Sequence, residues 1–153
     1  MCDPDTPGTT FRENVQAVRD ALDPNSFDPQ DRRRVRDARR SLNTIDKDRF
    51  WSADGNQLID DSGSKALRFM RIAVNHLWRI DDASAPGHID EILDQMQQLA
   101  EDRIDLATSD GGSAAKLTNA QTRFDAGETN RAAGKVAAAA NHYRAAWKIA
   151  RKA

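Results

Sequence analysis

Apolar side chains in this 153-residue chain return every three or four positions, and no stretch of useful length alternates with period two. That pattern gives each segment one apolar helical stripe and leaves no half-buried strand from which to build a sheet. The expected fold is all-α, a bundle of about six helices that ends in an antiparallel αα-hairpin.

Start and stop signals place the helices. Thr10, followed three residues later by Glu13, forms a capping box, and Phe11, Val15, Val18 and Leu22 follow at helical spacing. Asp23-Pro24 ends that run, because the residue before proline is pushed out of the α region. Asp28-Pro29 opens a second helix with Val35, Ala38, Leu42 and Ile45 inward. Between Asp46 and Ser64 the period is lost. Phe50, Trp51, Leu58 and Ile59 stand there among aspartates and glycines, so a structured loop pinned into the bundle is expected. A third helix carries Leu67, Met70, Val74, Leu77 and Ile80, its stripe widened by Phe69 and Trp78. A fourth runs from about His88 to Thr108 and stops at Asp110-Gly111-Gly112. Ser113 caps a fifth, with Leu117, Ala120, Phe124 and Ala132, and Gly134 separates it from a sixth carrying Val136, Ala140, Tyr143, Trp147 and Ala150. Residues 11–153 then form a single helical domain, and residues 1–10 form a polar tether rich in Pro and Thr.

A domain of this length buries about two-thirds of its unfolded surface and needs no covalent staple. The formal net charge of −1 speaks against a dedicated nucleic-acid binder, which is usually basic overall. No stretch approaches the roughly 18 apolar residues that span a bilayer. Cys2 is the only cysteine, so no intrachain disulfide can form. Two readings of it stand open. If Met1 replaces a removed signal sequence, Cys2 and its tether have the form of a processed bacterial lipoprotein. Otherwise Cys2 is an incidental residue of the tail. A membrane would be reached only through that lipid, and a single chain anchors weakly.

Few residues have the spacing that chemistry requires. His76, His88 and His142 fall on different helices or helix starts, with no second histidine three or four positions away. No phosphate-cradling glycine loop is present, and the lone cysteine cannot be positioned against a base. No catalytic residue, metal ligand or cofactor is therefore expected. The loop around Asp54-Gly55 invites comparison with a calcium loop. With Gly55 in the sixth place, however, Phe50 would stand first and Asp61 twelfth. An Asp-Gly turn explains the same residues, and an irregular cation site is the alternative. The second helix carries Arg32, Arg33, Arg34, Arg36, Arg39 and Arg40, enough to neutralise several phosphates. Asp31–Arg34 and Asp37–Arg40 are spaced for local ion pairs, so a solvated face, or a patch for an acidic protein or lipid surface, is the preferred reading.

The last third carries two resemblances. Gly134, Ala139, Tyr143 and Ala146, with Gly127 seven residues before Gly134, resemble the turn and second helix of a single tetratricopeptide repeat. Arg123 and Arg151 replace the tryptophan and proline of that pattern. A wider run over about residues 44–153 resembles helical domains of secreted bacterial and archaeal proteins. Its signature is an A-x-G turn and an HY-x-x-AW ending, here Ala132, Gly134, His142, Tyr143, Ala146 and Trp147. The resemblance implies an appended, non-catalytic domain with no site residues to carry across.

The expected function is accordingly a non-enzymatic interaction or structural module of the cell envelope, or a secreted one. A protein or peptide partner would bind in a groove beside the terminal hairpin, lined by Tyr143 and Trp147, although both rings are also at core spacing. The alternative is a cytoplasmic regulator that contacts nucleic acid through the Arg32–Arg40 helix. A small-ligand pocket inside the bundle is a third class, for which the sequence offers no polar cluster.

Overall fold

A computed structural model describes residues 9–153 of the chain. Six helices make up the domain: α1 (Phe11–Ala21), α2 (Arg32–Thr44), α3 (Gly63–Trp78), α4 (Ala85–Ser109), α5 (Ala114–Ala132) and α6 (Val136–Arg151). Cys2 and most of the expected tether lie outside the described residues.

The helix ends follow local chemistry. The Thr10 hydroxyl accepts from the Glu13 backbone N–H, and Glu13 in turn accepts from the Thr10 N–H. This is the capping box that the sequence calls for. Asp28-Pro29 forms a turn first, so α2 begins later than expected, with the Arg32 N–H donating to the Asp28 carbonyl. α4 begins earlier than expected because Pro86 sits in its first turn, where its missing N–H would be unpaired in any case. Gly134 adopts φ +75 at the turn between α5 and α6, a region that L side chains rarely enter.

Packing arranges the helices as two layers. α3 lies between α2 and α6, which do not touch each other, and α4 lies between α1 and α5. α1 packs on α2, α4 on both α3 and α6, and α5 along the length of α6. Buried side chains from all six helices form one core, including Val18, Leu42, Leu67, Met70, Leu93, Met96, Phe124 and Trp147. Small residues let the helices approach closely. A Cβ on Gly63 would lie 2.4 Å from the Trp147 ring, and one on Gly127 would lie 2.7 Å from the Tyr143 ring.

The loop over 46–62 is ordered against this core. Phe50, Trp51 and Leu58 are buried, and the Trp51 indole N–H donates to the Ile45 carbonyl at 2.8 Å. Trp51 and Leu58 form an isolated antiparallel bridge, and no strand occurs among the described residues. The Arg12 N–H donates to the Gly55 carbonyl at 3.1 Å, tying the loop tip to α1. Two apolar residues depart from expectation. Ile59 is 38% exposed and Trp78 is 58% exposed. Trp78 is the last residue of α3, at a helix end that leaves its ring in solvent.

Candidate functional site

Tyr143 and Trp147 do not line an open groove. Their relative exposures are 0% and 1%, a correction to the expected binding surface. The physical reason is the small residues around them. Gly127 lets the Tyr143 ring lie flat on α5, where it also meets Phe124 at 5.6 Å between centroids. Gly63 leaves the space that the Trp147 ring fills. The Tyr143 hydroxyl donates to Glu128, which also accepts from the Gln97 amide at 2.8 Å. Burial, followed by the Glu128 carboxylate, raises the Tyr143 hydroxyl well above the usual tyrosine range. Trp147 also reaches the floor of a cavity of about 30 Å³ between the 46–62 loop and α4, large enough for one or two waters.

The acidic loop does not gather its carboxylates. Asp54 accepts from the Ser52 hydroxyl at 2.6 Å and from the Asn56 N–H at 3.0 Å, closing its own turn. Asp60 and Asp61 lie against Arg103 at 3.4 Å and Arg151 at 4.0 Å. No group of three His, Cys, Asp or Glu side chains converges among the described residues. His88 stands 3.9 Å from Glu91 on the first turns of α4, and His76 and His142 lie on other helices.

The arginines of α2 are the feature that does face solvent. Val35, Ala38 and Leu42 are fully buried, which turns Arg33, Arg36, Arg39 and Arg40 outward and leaves Arg32 and Arg34 on the flanks. Of the two spaced ion pairs, Asp37–Arg40 forms at 3.8 Å. Asp31 instead turns inward, where it is buried and its Oδ2 has no hydrogen-bond partner. Arg32 donates to the Phe27 carbonyl at 3.2 Å. Arg33, Arg34, Arg36 and Arg39 make no ion pair within the described residues. Together with α1 these side chains border an open cleft of about 530 Å³, lined by Arg19, Asp20, Arg36, Arg39, Arg40 and Asn43. Arg19 is held by Asp20 at 3.0 Å and by Asp46.

Sequence reasoning missed a second basic group. Arg71 donates to Asn141 at 2.9 Å, and Arg144 donates from Nε to the Ser64 carbonyl at 3.0 Å, so both cross the seam between α3 and α6. Burial, then the positive charges of Arg71 and Arg68, lowers the Arg144 pKa. The available signal was that Gly63–Trp78 and Val136–Arg151 contain no acidic residue. No family model matches the chain, and comparison with curated proteins and with solved structures gives no match.

Proposed function

We propose that this chain is a non-enzymatic helical interaction module of the cell envelope, and that it holds an anionic partner on the arginine face of α2. One observation carries this reading: of the four outward arginines on one helix, Arg33, Arg36 and Arg39 lack a carboxylate partner among the described residues, in a chain whose net charge is −1. Like charges three and four apart on a helix cost about 0.2–0.5 kcal/mol per pair, and Arg32–Arg36, Arg36–Arg39 and Arg36–Arg40 are such pairs. An external anion offsets that repulsion. Guanidinium groups also suit carboxylate and phosphate oxygens, which they hold in bidentate fashion. The envelope assignment is supported by the HY-x-x-AW resemblance and by Cys2 with its tether. Mass spectrometry of the chain from its host tests that assignment, because a lipid on Cys2 is required for the lipoprotein form.

For the arginine face, a fluorescently labelled poly-glutamate peptide is the probe. Binding should be measurable at low salt and fade as salt screens the contact. Arg36→Ala, Arg39→Ala and Arg40→Ala combined should weaken it by about tenfold or more. Equal binding by wild type and triple variant would reject the reading. The α1–α2 cleft also favours a second reading, in which α2 lies along a nucleic-acid backbone. That reading requires gel retardation of a duplex oligonucleotide with a steep salt dependence.

A further inference from the structure

The two helical layers differ in charge, and the net value conceals it. In one layer α2 carries six arginines against Asp37, α3 carries Lys65, Arg68 and Arg71, and α6 carries Arg144, Lys148 and Arg151. Neither α3 nor α6 contains an acid. In the other layer the central helix α4 carries Asp90, Glu91, Asp94, Glu101, Asp102 and Asp105 against Arg103. Because α3 packs on both α2 and α6, the basic helices lie side by side.

Several of these cations face outward with no countercharge. Arg68 and Lys148 are exposed, and neither makes an ion pair among the described residues. Arg71 and Arg144 bond only to neutral groups, Asn141 and the Ser64 carbonyl, and Arg71 Nε is buried without a partner. Arg151 is different, since it is held by the Asp60 carbonyl and Asp61. Neighbouring helices lie about 8–10 Å apart, so three of them span roughly 20 Å. The 16 residues of α6 extend about 24 Å. That area exceeds what one small anion needs. Trp78 stands exposed at the end of α3, within this layer.

We propose that the outward face of the α2–α3–α6 layer docks on an anionic phospholipid surface, with Trp78 entering the headgroup region. The proposal rests on the anion-binding reading of α2 and names the class of its partner. A broad basic face made of helix sides suits a bilayer, where tryptophan favours the interface and each basic side chain strengthens binding by about fivefold. Nucleic acid is less well matched. Duplex reading uses an element inserted into a groove, and single strands stack on successive aromatics, whereas this layer exposes one large aromatic ring.

The test is co-sedimentation of the full chain with vesicles of phosphatidylcholine alone or mixed with phosphatidylglycerol. The expected result is binding only to the phosphatidylglycerol vesicles, with a blue shift of tryptophan emission that Trp78→Phe removes. Arg68→Glu with Lys148→Glu should reduce partitioning at least about 25-fold while poly-glutamate binding to α2 persists. Circular dichroism of that variant confirms that these exposed sites leave the fold intact. Unchanged vesicle binding by the variant would overturn the three-helix surface and leave the α2 reading standing. Binding to both vesicle types alike would also overturn it, as would retention of a duplex oligonucleotide but not of vesicles. Loss of poly-glutamate binding as well as vesicle binding in the wild type would overturn both readings together.

Discussion

The Trp147 ring occupies the space in which a side chain on Gly63 would have to stand, a Cβ there coming within 2.4 Å of Cη2. Leu58 also lies 2.8 Å from that position, so the end of the 46–62 loop, the start of α3 and the C-terminal turns of α6 meet at one glycine. This junction closes the core at the end opposite the α5–α6 turn.

Gly63→Ala should destabilise the domain by about 1–3 kcal/mol, since neither the ring nor the backbone can withdraw without opening the core. Gly87→Ala is the matched control. It lies within α4, nothing is within 4 Å of its Cβ position, and it should stabilise by about 0.4–1 kcal/mol. Urea unfolding followed by circular dichroism reads both, and equal effects would show that the Trp147 contact does not set the cost.

Tyr143 is the only tyrosine, so its ionisation can be followed by absorbance without interference. Its folded pKa is raised from 10.0, chiefly by burial. The unfolded chain therefore loses this proton first as pH rises. Stability should be unaffected below about pH 10 and decline above it, with phenolate appearing together with unfolding. Tyr143→Phe leaves Glu128 with the Gln97 bond and should cost about 0.5–1.5 kcal/mol.

Asp46 ties α1 to the end of α2. Burial alone would raise its pKa, but hydrogen bonds from Gln16, Arg19 and Arg12 outweigh that and hold it below 3.8. A carboxylate with a depressed folded pKa contributes stability that is present above its unfolded value and lost as pH falls through the folded one. Asp46→Ala should thus cost about 1–3 kcal/mol at neutral pH and less in acid. Denaturation of both proteins at neutral and at acid pH, with an unchanged difference between them, would contradict this.

Of the three tryptophans, Trp51 and Trp147 are buried and Trp78 is exposed. Acrylamide should quench mainly Trp78, and Trp78→Phe should remove most of the quenchable emission. Stability should change by no more than about 0.5 kcal/mol, as for a surface position.

The helices were legible because their signals are local. Thr10 with Glu13, Ser113 and Gly134 each act on the turn beside them, and the apolar stripes name the core directly. The loop aromatics Phe50 and Trp51 were legible as buried from their density alone. Trp78 and Ile59 were misread because their exposure depends on which neighbours cover a helix end or a loop edge. Tyr143 and Trp147 satisfied both a core and a groove reading, and only the placement of Gly127 and Gly63 opposite them decides between the two. The charged layer could not be read in advance for a similar reason. Each helix shows its own charges, but that α3 separates α2 from α6 is a property of packing. The averaged net charge then hid what the arrangement separates.

The α5–α6 hairpin is tied at both ends. Gly134 turns it, and at the open end Lys116 donates to the Lys152 carbonyl at 2.7 Å and the Ser113 N–H to the Ala153 carbonyl at 3.1 Å. Its contacts join residues close in sequence, whereas the seat of Trp147 at Gly63 joins distant ones. Local closure is fast and distant closure slow. The hairpin is thus expected to form first and to carry Trp147 to its seat already oriented. Weakening Phe124 or Ala139 would then retard folding, whereas Gly63→Ala would chiefly hasten unfolding, a division that stopped-flow chevrons resolve. In time α6 belongs to the foundation of this domain, and the seating of its Trp147 at Gly63 is the latch that closes last.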